Sequence, residues 1–392
     1  MTNNRIKELQ VHTPQGLSGS LHKEARYAFN YISKIRDQEV SLALPTRAES
    51  YSSGNLFSVF QMNRPEGYLL EYIQNRFSKS LYLDDMMLLK LTGNNQIGRL
   101  TYSDANEEPS GSPKSQVSVD EIIKSTTSEE LFEFLVDTYF SSGISGFQPK
   151  VIVPVTDKRT IPTTEYIVKS SGEDYPYLAQ NEFLCMEVAR ISGIRVPEFW
   201  LSDDGGLFIM SRFDRKESGE KLGLEDCMVL MGKGPNEKYQ GSYENIAKII
   251  ELFCKDNAVE SKKRFFEYFA LSVLLQNGDA HLKNFSLMYD VPGGNIELSP
   301  LYDVVTTSIY TTTNPKTGYT KVDNTLALNL NKSKSYPTDT DLIKFGESFC
   351  MVSNAQQILE KIEDAKRTVL HLHASRMNSD LIQKIKKAWR VI

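Results

Sequence analysis

The sequence has few of the residues that build metal knuckles or disulfide staples. Only four cysteines occur in 392 residues, Cys185, Cys227, Cys254 and Cys350. None forms a C-x-x-C pair and the five histidines do not sit near them, so no zinc site is expected. They read as reduced thiols, the usual state in a cytoplasmic protein. A surplus of positive charge is also missing. Forty-five Lys and Arg stand against 50 Asp and Glu, a net charge of −5, with a pI near 5.7. That excludes a protein whose main task is to coat nucleic acid. No stretch approaches the roughly 18 apolar residues of a membrane span. The opening MTNNRIKELQVHTPQG has no apolar centre, so no signal peptide is expected.

What is present is a globular composition, 40% hydrophobic and 24% charged. At roughly 150 residues per domain, the length predicts two or three domains or lobes. The clearest break is 103–127, SDANEEPSGSPKSQVSVDEIIKSTT, rich in Ser, Pro, Gly and acid and read as a linker. The expected division is 1–102, the linker 103–127, a small lobe over 128–212 and a helical lobe over 213–392. In the first region Val40–Leu44 and Gln96–Tyr102 read as strands, while 66–77 and 81–91 show helical spacing. After the linker, 128–140 predicts a capped helix. VIVPV (151–155) and EYIVK (165–169) predict strands, 180–191 a helix and LFIMSRF (207–213) a strand. Helices follow over 243–253 and 262–276. The second is apolar on nearly all sides and so expected to be buried. Two short runs at 286–290 and 296–304 and helices at 355–371 and 379–391 complete an α+β chain.

The segment richest in chemistry is NGDAHLKNF (277–285), a charged loop directly after that apolar helix. Asp279 and Asn284 stand five positions apart. Phosphoryl transfer to a hydroxyl needs a carboxylate to orient the hydroxyl and take its proton. It also needs an oxygen donor to hold magnesium on the phosphates. Protein kinases use this D-x-x-x-x-N offset, although alone it also describes an ordinary capped turn. A later acid, Asp303, is read at the end of a strand, where kinases place a second magnesium ligand. Upstream, SSGISGFQPK (141–150) brings Gly143 and Gly146 to a turn where backbone amides can approach an anion. Lys169 closes an apolar strand and so needs a partner. Glu182 on the following helix is the candidate. Glycine turn, strand lysine, helix glutamate, buried helix, Asp…Asn loop and Asp follow one another in the order of a kinase-like fold.

Seven segments make the resemblance specific: LFSVFQMNRPEGYLLE (56–71), GISGFQPK (143–150), YIVK (166–169), NEFLCMEVA (181–189), MSRFDR (210–215), NGDAHLKNFS (277–286) and LSPLYDV (298–304). With them the chain resembles the HipA family of serine/threonine kinases, the toxin half of a bacterial toxin–antitoxin module. The resemblance implies a two-lobed kinase fold preceded by a small α+β subdomain, and an ATP- and Mg2+-dependent enzyme. It implies that Asp279 is the catalytic carboxylate, with His281 beside it. Asn284 and Asp303 would hold magnesium, and Lys169, paired with Glu182, would meet the ATP phosphates. Gly146, Gln148 and Lys150 would belong to the phosphate loop. Ser211 and Phe213 would offer backbone groups to adenine, and Asp214 and Arg215 would form a buried ion pair. The family silences itself by phosphorylating a loop serine. Here Gly143 fills one of the two positions used, leaving Ser145 as first choice and Ser142 as second. The implied partners are a helix-turn-helix antitoxin, which carries most of the DNA contact, and an aminoacyl-tRNA synthetase substrate, typically glutamyl-tRNA synthetase.

Two rival functions share some of these features. Small-molecule phosphotransferases of the aminoglycoside-kinase kind also place a His two residues after the Asp, but the SGFQPK loop and the N-terminal region speak against them. A catalytically silent co-repressor is opposed by the presence of every expected catalytic residue type. The basic run on 379–391 reads as a solvated helix face before a DNA contact. The polar segment 214–242 is open to a role in facing substrate.

Overall fold

The computed structural model describes residues 5–78, 81–93, 96–104, 118–141, 159–162, 166–172, 175–313, 320–322 and 324–391. The first region is built on a five-stranded antiparallel sheet in the order β4-β3-β2-β1-β5. Its strands are β1 (Glu8–Thr13), β2 (Gly16–Lys23), β3 (Tyr27–Tyr31), β4 (Tyr51–Ser53) and β5 (Thr101–Ser103). Leu9, Val11, Leu21 and Phe29 point to one face and are fully buried, the two-residue period of a half-buried sheet. Val40–Leu44 is not a strand. It forms a turn closed by an isolated bridge between Ser41 and Leu44, and of 96–102 only the last two residues join β5. Helices α1 (Ser58–Met62) and α3 (Asp85–Thr92) pack on its buried face through Val59, Phe60, Met86 and Leu89, and α2 (Gly67–Phe77) lies between them in the chain. Asp84 caps α3 by accepting from the Met87 amide.

Part of the expected linker is ordered. Ser118 and Glu121 form a capping box at the start of α4 (Val119–Ile123), and Ile122 is buried. Helix α5 (Ser128–Ser141) follows. Ile122 and the α5 side chains Phe132, Leu135 and Val136 share one core with Tyr68 and Ile73 of α2 and with Val168, Leu207 and Ile209 of the next sheet. The first region is therefore cemented to the small lobe by apolar burial.

That lobe holds a four-stranded antiparallel sheet, β6 (Arg159–Pro162), β7 (Tyr166–Ser170), β9 (Leu207–Ser211) and β8 (Phe199–Leu201), in that spatial order. Helix α6 (Leu178–Ile191) packs against it. The predicted strand at 151–155 lies outside the described residues.

The second lobe is mainly helical. Strands β10 (Gly223–Asp226), β11 (Ser286–Tyr289) and β12 (Ile296–Leu298) form its small sheet, and β13 (Thr311–Thr313) pairs with β14 (Thr320–Val322). Helices α7 (Cys227–Leu230), α8 (Tyr243–Cys254) and α9 (Ala258–Leu274) pack against it, and α10 (Asp339–Cys350), α11 (Ala355–His373) and α12 (Ser379–Trp389) build outward from them. As expected, α9 is the buried helix: Phe265, Phe266 and Phe269 are fully buried, each worth about 1.5–3 kcal/mol of transfer free energy. Glu225 locks the first region to this lobe. Its buried carboxylate accepts from Ser41 Oγ at 2.5 Å, from the Leu42 amide at 2.8 Å, and from the Tyr289 hydroxyl.

Candidate active site

Helix α9 delivers the loop 277–285. After Leu274 the chain turns sharply, with Gln276 in the left-handed region at φ 57°. The loop backbone is then tied down from three sides. The Asn277 amide donates to the Ser272 carbonyl at 2.8 Å. The Gly278 amide donates to Thr307 Oγ1 at 2.7 Å, and the Tyr243 hydroxyl to the Ala280 carbonyl at 3.0 Å. A polar loop can sit this deep because its backbone groups are satisfied by specific partners.

Asp279 faces a cleft of about 750 Å³ between the lobes. Its Oδ1 accepts from the Tyr239 hydroxyl at 2.8 Å and lies 3.9 Å from His281 Nε2. His281 is buried, and that burial pushes its pKa down to about 4, so the ring is neutral near pH 7. Its Nδ1 has no hydrogen-bond partner among the described residues. Its amide donates to the Asn284 side-chain oxygen at 3.3 Å, which orients Asn284.

Asp303 is brought to the same place by a different route. It is not at a strand end: β12 stops at Leu298, and Asp303 lies in irregular chain with φ 59°. Asp is one of the few side chains that tolerate this region. Asn284 Nδ2 donates to Asp303 Oδ2 at 3.0 Å. Lys169 Nζ donates to Asp303 Oδ1 at 2.8 Å and to Glu182 Oε1 at 2.6 Å. Burial acts to lower the Lys169 pKa, but the two carboxylates outweigh it and hold the ammonium charged. Glu182 is 2% exposed, so the pair is a buried one. The strand, helix α6 and the chain after β12 thus meet at one ammonium group.

The hinge residues divide. Phe213 lines the cleft beside Tyr302, ring centroids 5.5 Å apart. Ser211 spends its amide on the Glu198 carbonyl at 2.8 Å and is not among the residues that line the cleft. Asp214 is a structural anchor, as expected, but with two cations. Arg212 and Arg215 both reach its Oδ2, at 2.7 and 2.8 Å. Burial would raise the Asp214 carboxyl, yet the arginines hold it down at about 2. Gly143, Ser145, Gly146, Gln148, Lys150 and Ser142 lie outside the described residues.

Other wall residues were given no site role by the sequence. The N-terminal region supplies Asn63, Arg64, Glu66 and Tyr68 to the cleft, and Glu66 Oε2 accepts from Lys283 Nζ at 2.6 Å. Asp226 at the floor is fully buried, which raises its carboxyl to about 6. Tyr239 comes from the polar segment that the sequence left unassigned.

A strand lysine bridged to a helix glutamate, an Asp…Asn loop and a later Asp around one interlobe cleft define a protein-kinase-like fold. Comparison with known proteins agrees. Residues 142–370 match the HipA-like C-terminal domain and residues 9–103 the HipA N-terminal domain. The serine/threonine-protein kinase toxin HipA of Shewanella oneidensis is 24% identical over 347 residues, 79% of this chain and 77% of that protein. A Haemophilus influenzae protein named as a candidate kinase is 31% identical over 258 residues, 59% of this chain and 74% of that protein. In structure, the HipA of Shewanella oneidensis MR-1, solved with HipB and its operator DNA, aligns with a TM-score of 0.71. That alignment has 18% identity and spans 97% of this chain and 96% of that one. The chain belongs to the HipA family of serine/threonine-protein kinase toxins.

Proposed function

We propose that this kinase transfers the γ-phosphoryl group of ATP to a serine or threonine hydroxyl of a protein, with Asp279 as the catalytic carboxylate. The observation that carries the reading is the convergence of Lys169, Glu182, Asp303 and Asn284 beside Asp279. Lys169 is held charged where a triphosphate would enter the cleft, and Glu182 fixes its direction. Asp279 orients the acceptor hydroxyl and takes its proton as the oxygen–phosphorus bond forms and ADP leaves. Phe213, which lines the cleft beside Tyr302, would meet the adenine.

Asp303 and Asn284 offer one carboxylate and one amide oxygen, hard donors that suit magnesium. No group of three or more His, Cys, Asp and Glu arranged for a metal occurs among the described residues. Two protein ligands fit a magnesium ion that takes its remaining oxygens from phosphates and water. Bound there, the ion would neutralise charge on the phosphates. The Asn284 oxygen now accepts from the His281 amide, so ion binding would turn that carboxamide.

The proposed acceptor is an aminoacyl-tRNA synthetase, glutamyl-tRNA synthetase first, whose modification would arrest translation in the cytoplasm. The proposed partner is a helix-turn-helix antitoxin, in line with the HipB bound to the Shewanella HipA. Self-inactivation would fall on Ser145, with Ser142 second. A phosphoserine there would set about two negative charges where the ATP phosphates belong. Peptide mass spectrometry after incubation with ATP and magnesium tests this reading. Phosphate on the 141–150 peptide of wild type and not of Asp279→Ala supports it. Equal phosphate on both proteins would contradict it.

A further inference from the structure

Residues 231–242, MGKGPNEKYQGS, join α7 to α8. They look like a loose polar loop, yet the fold stitches them to the catalytic loop. The Leu282 amide donates to the Lys238 carbonyl at 3.2 Å, and the Asn329 amide to the Gly241 carbonyl at 3.1 Å. Within the loop, the Gln240 amide closes on the Glu237 carbonyl at 2.8 Å. This frame aims one side chain, Tyr239, at Asp279. Its hydroxyl donates to Oδ1 at 2.8 Å, and its ring meets the His281 ring edge-on, centroids 5.1 Å apart and planes at 72°.

The torsion that turns a carboxylate about its Cβ–Cγ bond is soft. The main-chain bonds of the loop fix where Asp279 sits, not the plane of its oxygens. A phenol donor held by a braced loop sets that plane. Phosphoryl transfer is sensitive to such alignment, because it gains most of its rate from positioning. We propose that Tyr239 is a positioning residue, whose hydroxyl holds the Asp279 carboxylate in the orientation that receives the acceptor hydroxyl. This rests on the reading of Asp279 as the catalytic carboxylate. The rival is a gate, with the phenol occupying the place of the acceptor hydroxyl. The bracing of the loop from both sides favours positioning, since a gate must move away at each turnover.

The test compares wild type, Tyr239→Phe, Asp279→Asn and the double variant as full-length proteins with ATP and magnesium. The acceptor is whichever of glutamyl-tRNA synthetase and dephosphorylated casein wild type modifies faster. Tyr239→Phe keeps the ring against His281, so its melting temperature should match wild type. Its kcat should fall about tenfold or more, with KM for ATP within twofold. In the Asp279→Asn background the same change should cost nothing further, because the carboxylate it orients is gone. An unchanged kcat in Tyr239→Phe, or a lower KM for the acceptor with kcat retained, would overturn the proposal. If wild type modifies neither acceptor nor itself, or Asp279→Asn retains transfer, the reading of Asp279 fails and takes this inference with it. If only Tyr239→Phe behaves like wild type, that reading stands and this inference alone fails.

Discussion

Lys283 Nζ and Glu66 Oε2 meet at 2.6 Å although 217 positions separate them in the chain. One belongs to the loop that carries Asp279 and Asn284, the other to the turn before α2. The N-terminal region therefore places a carboxylate at the rim of the interlobe cleft. Removing that charge should ease the arrival of a triphosphate. Glu66→Gln should lower KM for ATP about two- to fivefold, the range of a partly exposed pair, and the gain should shrink in high salt. Steady-state kinetics at two salt concentrations checks it; a raised KM would contradict it.

The role proposed for Lys169 has a structural and a chemical part, and the two can be separated. Lys169→Met leaves Glu182 buried without its cation, which should cost about 3–5 kcal/mol. Adding Glu182→Leu removes the stranded carboxylate and should recover most of the lost stability. Transfer should stay at least about a hundredfold below wild type in both, because neither has a cation for the phosphates. Thermal melting paired with a phosphate-transfer assay decides. Recovered activity in the double variant would refute the role given to Lys169.

His281 sets a pH dependence of stability. Burial holds its folded pKa at about 4, below the ordinary 6.5. The folded state thus prefers the neutral ring, and its contribution is complete above pH 6.5. As pH falls toward 4 the unfolded chain takes up the proton first, and that contribution is lost. Relative to His281→Gln, wild type should lose about 2 kcal/mol between pH 7 and pH 5. Melting both proteins at each pH measures the change in their gap. A constant gap would show that the ring titrates normally.

Trp389, near the C-terminal end of the chain, reaches the loop after Asp303. Its indole Nε1 donates to Thr306 Oγ1 at 2.8 Å, and both residues are fully buried. The Thr306 amide and carbonyl are held by the Asn181 side chain, next to Glu182. Trp389→Phe loses the donor and should cost about 1–3 kcal/mol. If α12 braces Asp303 through Thr306, kcat should fall while the variant is still folded at the assay temperature. Loss of stability with full kcat would limit α12 to a packing role.

Much of the site was legible because its chemistry sits in short segments. The charged loop after an apolar helix announced Asp279 and Asn284, and Lys169 and Glu182 were readable from chain order. Asp303 was legible as a residue but not as geometry, since a left-handed carboxylate leaves no trace in a hydrophobic pattern. Most of the first sheet was missed, β2 among it, because GLSGSLHK buries glycine and serine beside leucine and so breaks the alternation. Helix α10 was missed although Thr338 and Asp341 form a capping box at its start. Glu66 and Tyr239 were out of reach for another reason. Each acts on a loop 40 or more positions away in the chain, and only the folded chain brings such pairs together.

The most direct test of the account is phosphate transfer from labelled ATP with magnesium, comparing wild type with Asp279→Asn. The substitution keeps the size of the side chain and removes only its ability to take a proton. Wild type should label glutamyl-tRNA synthetase or itself. Asp279→Asn should bind ATP with similar affinity and label neither, a loss of at least about a hundredfold. Undiminished labelling by Asp279→Asn would contradict the central claim.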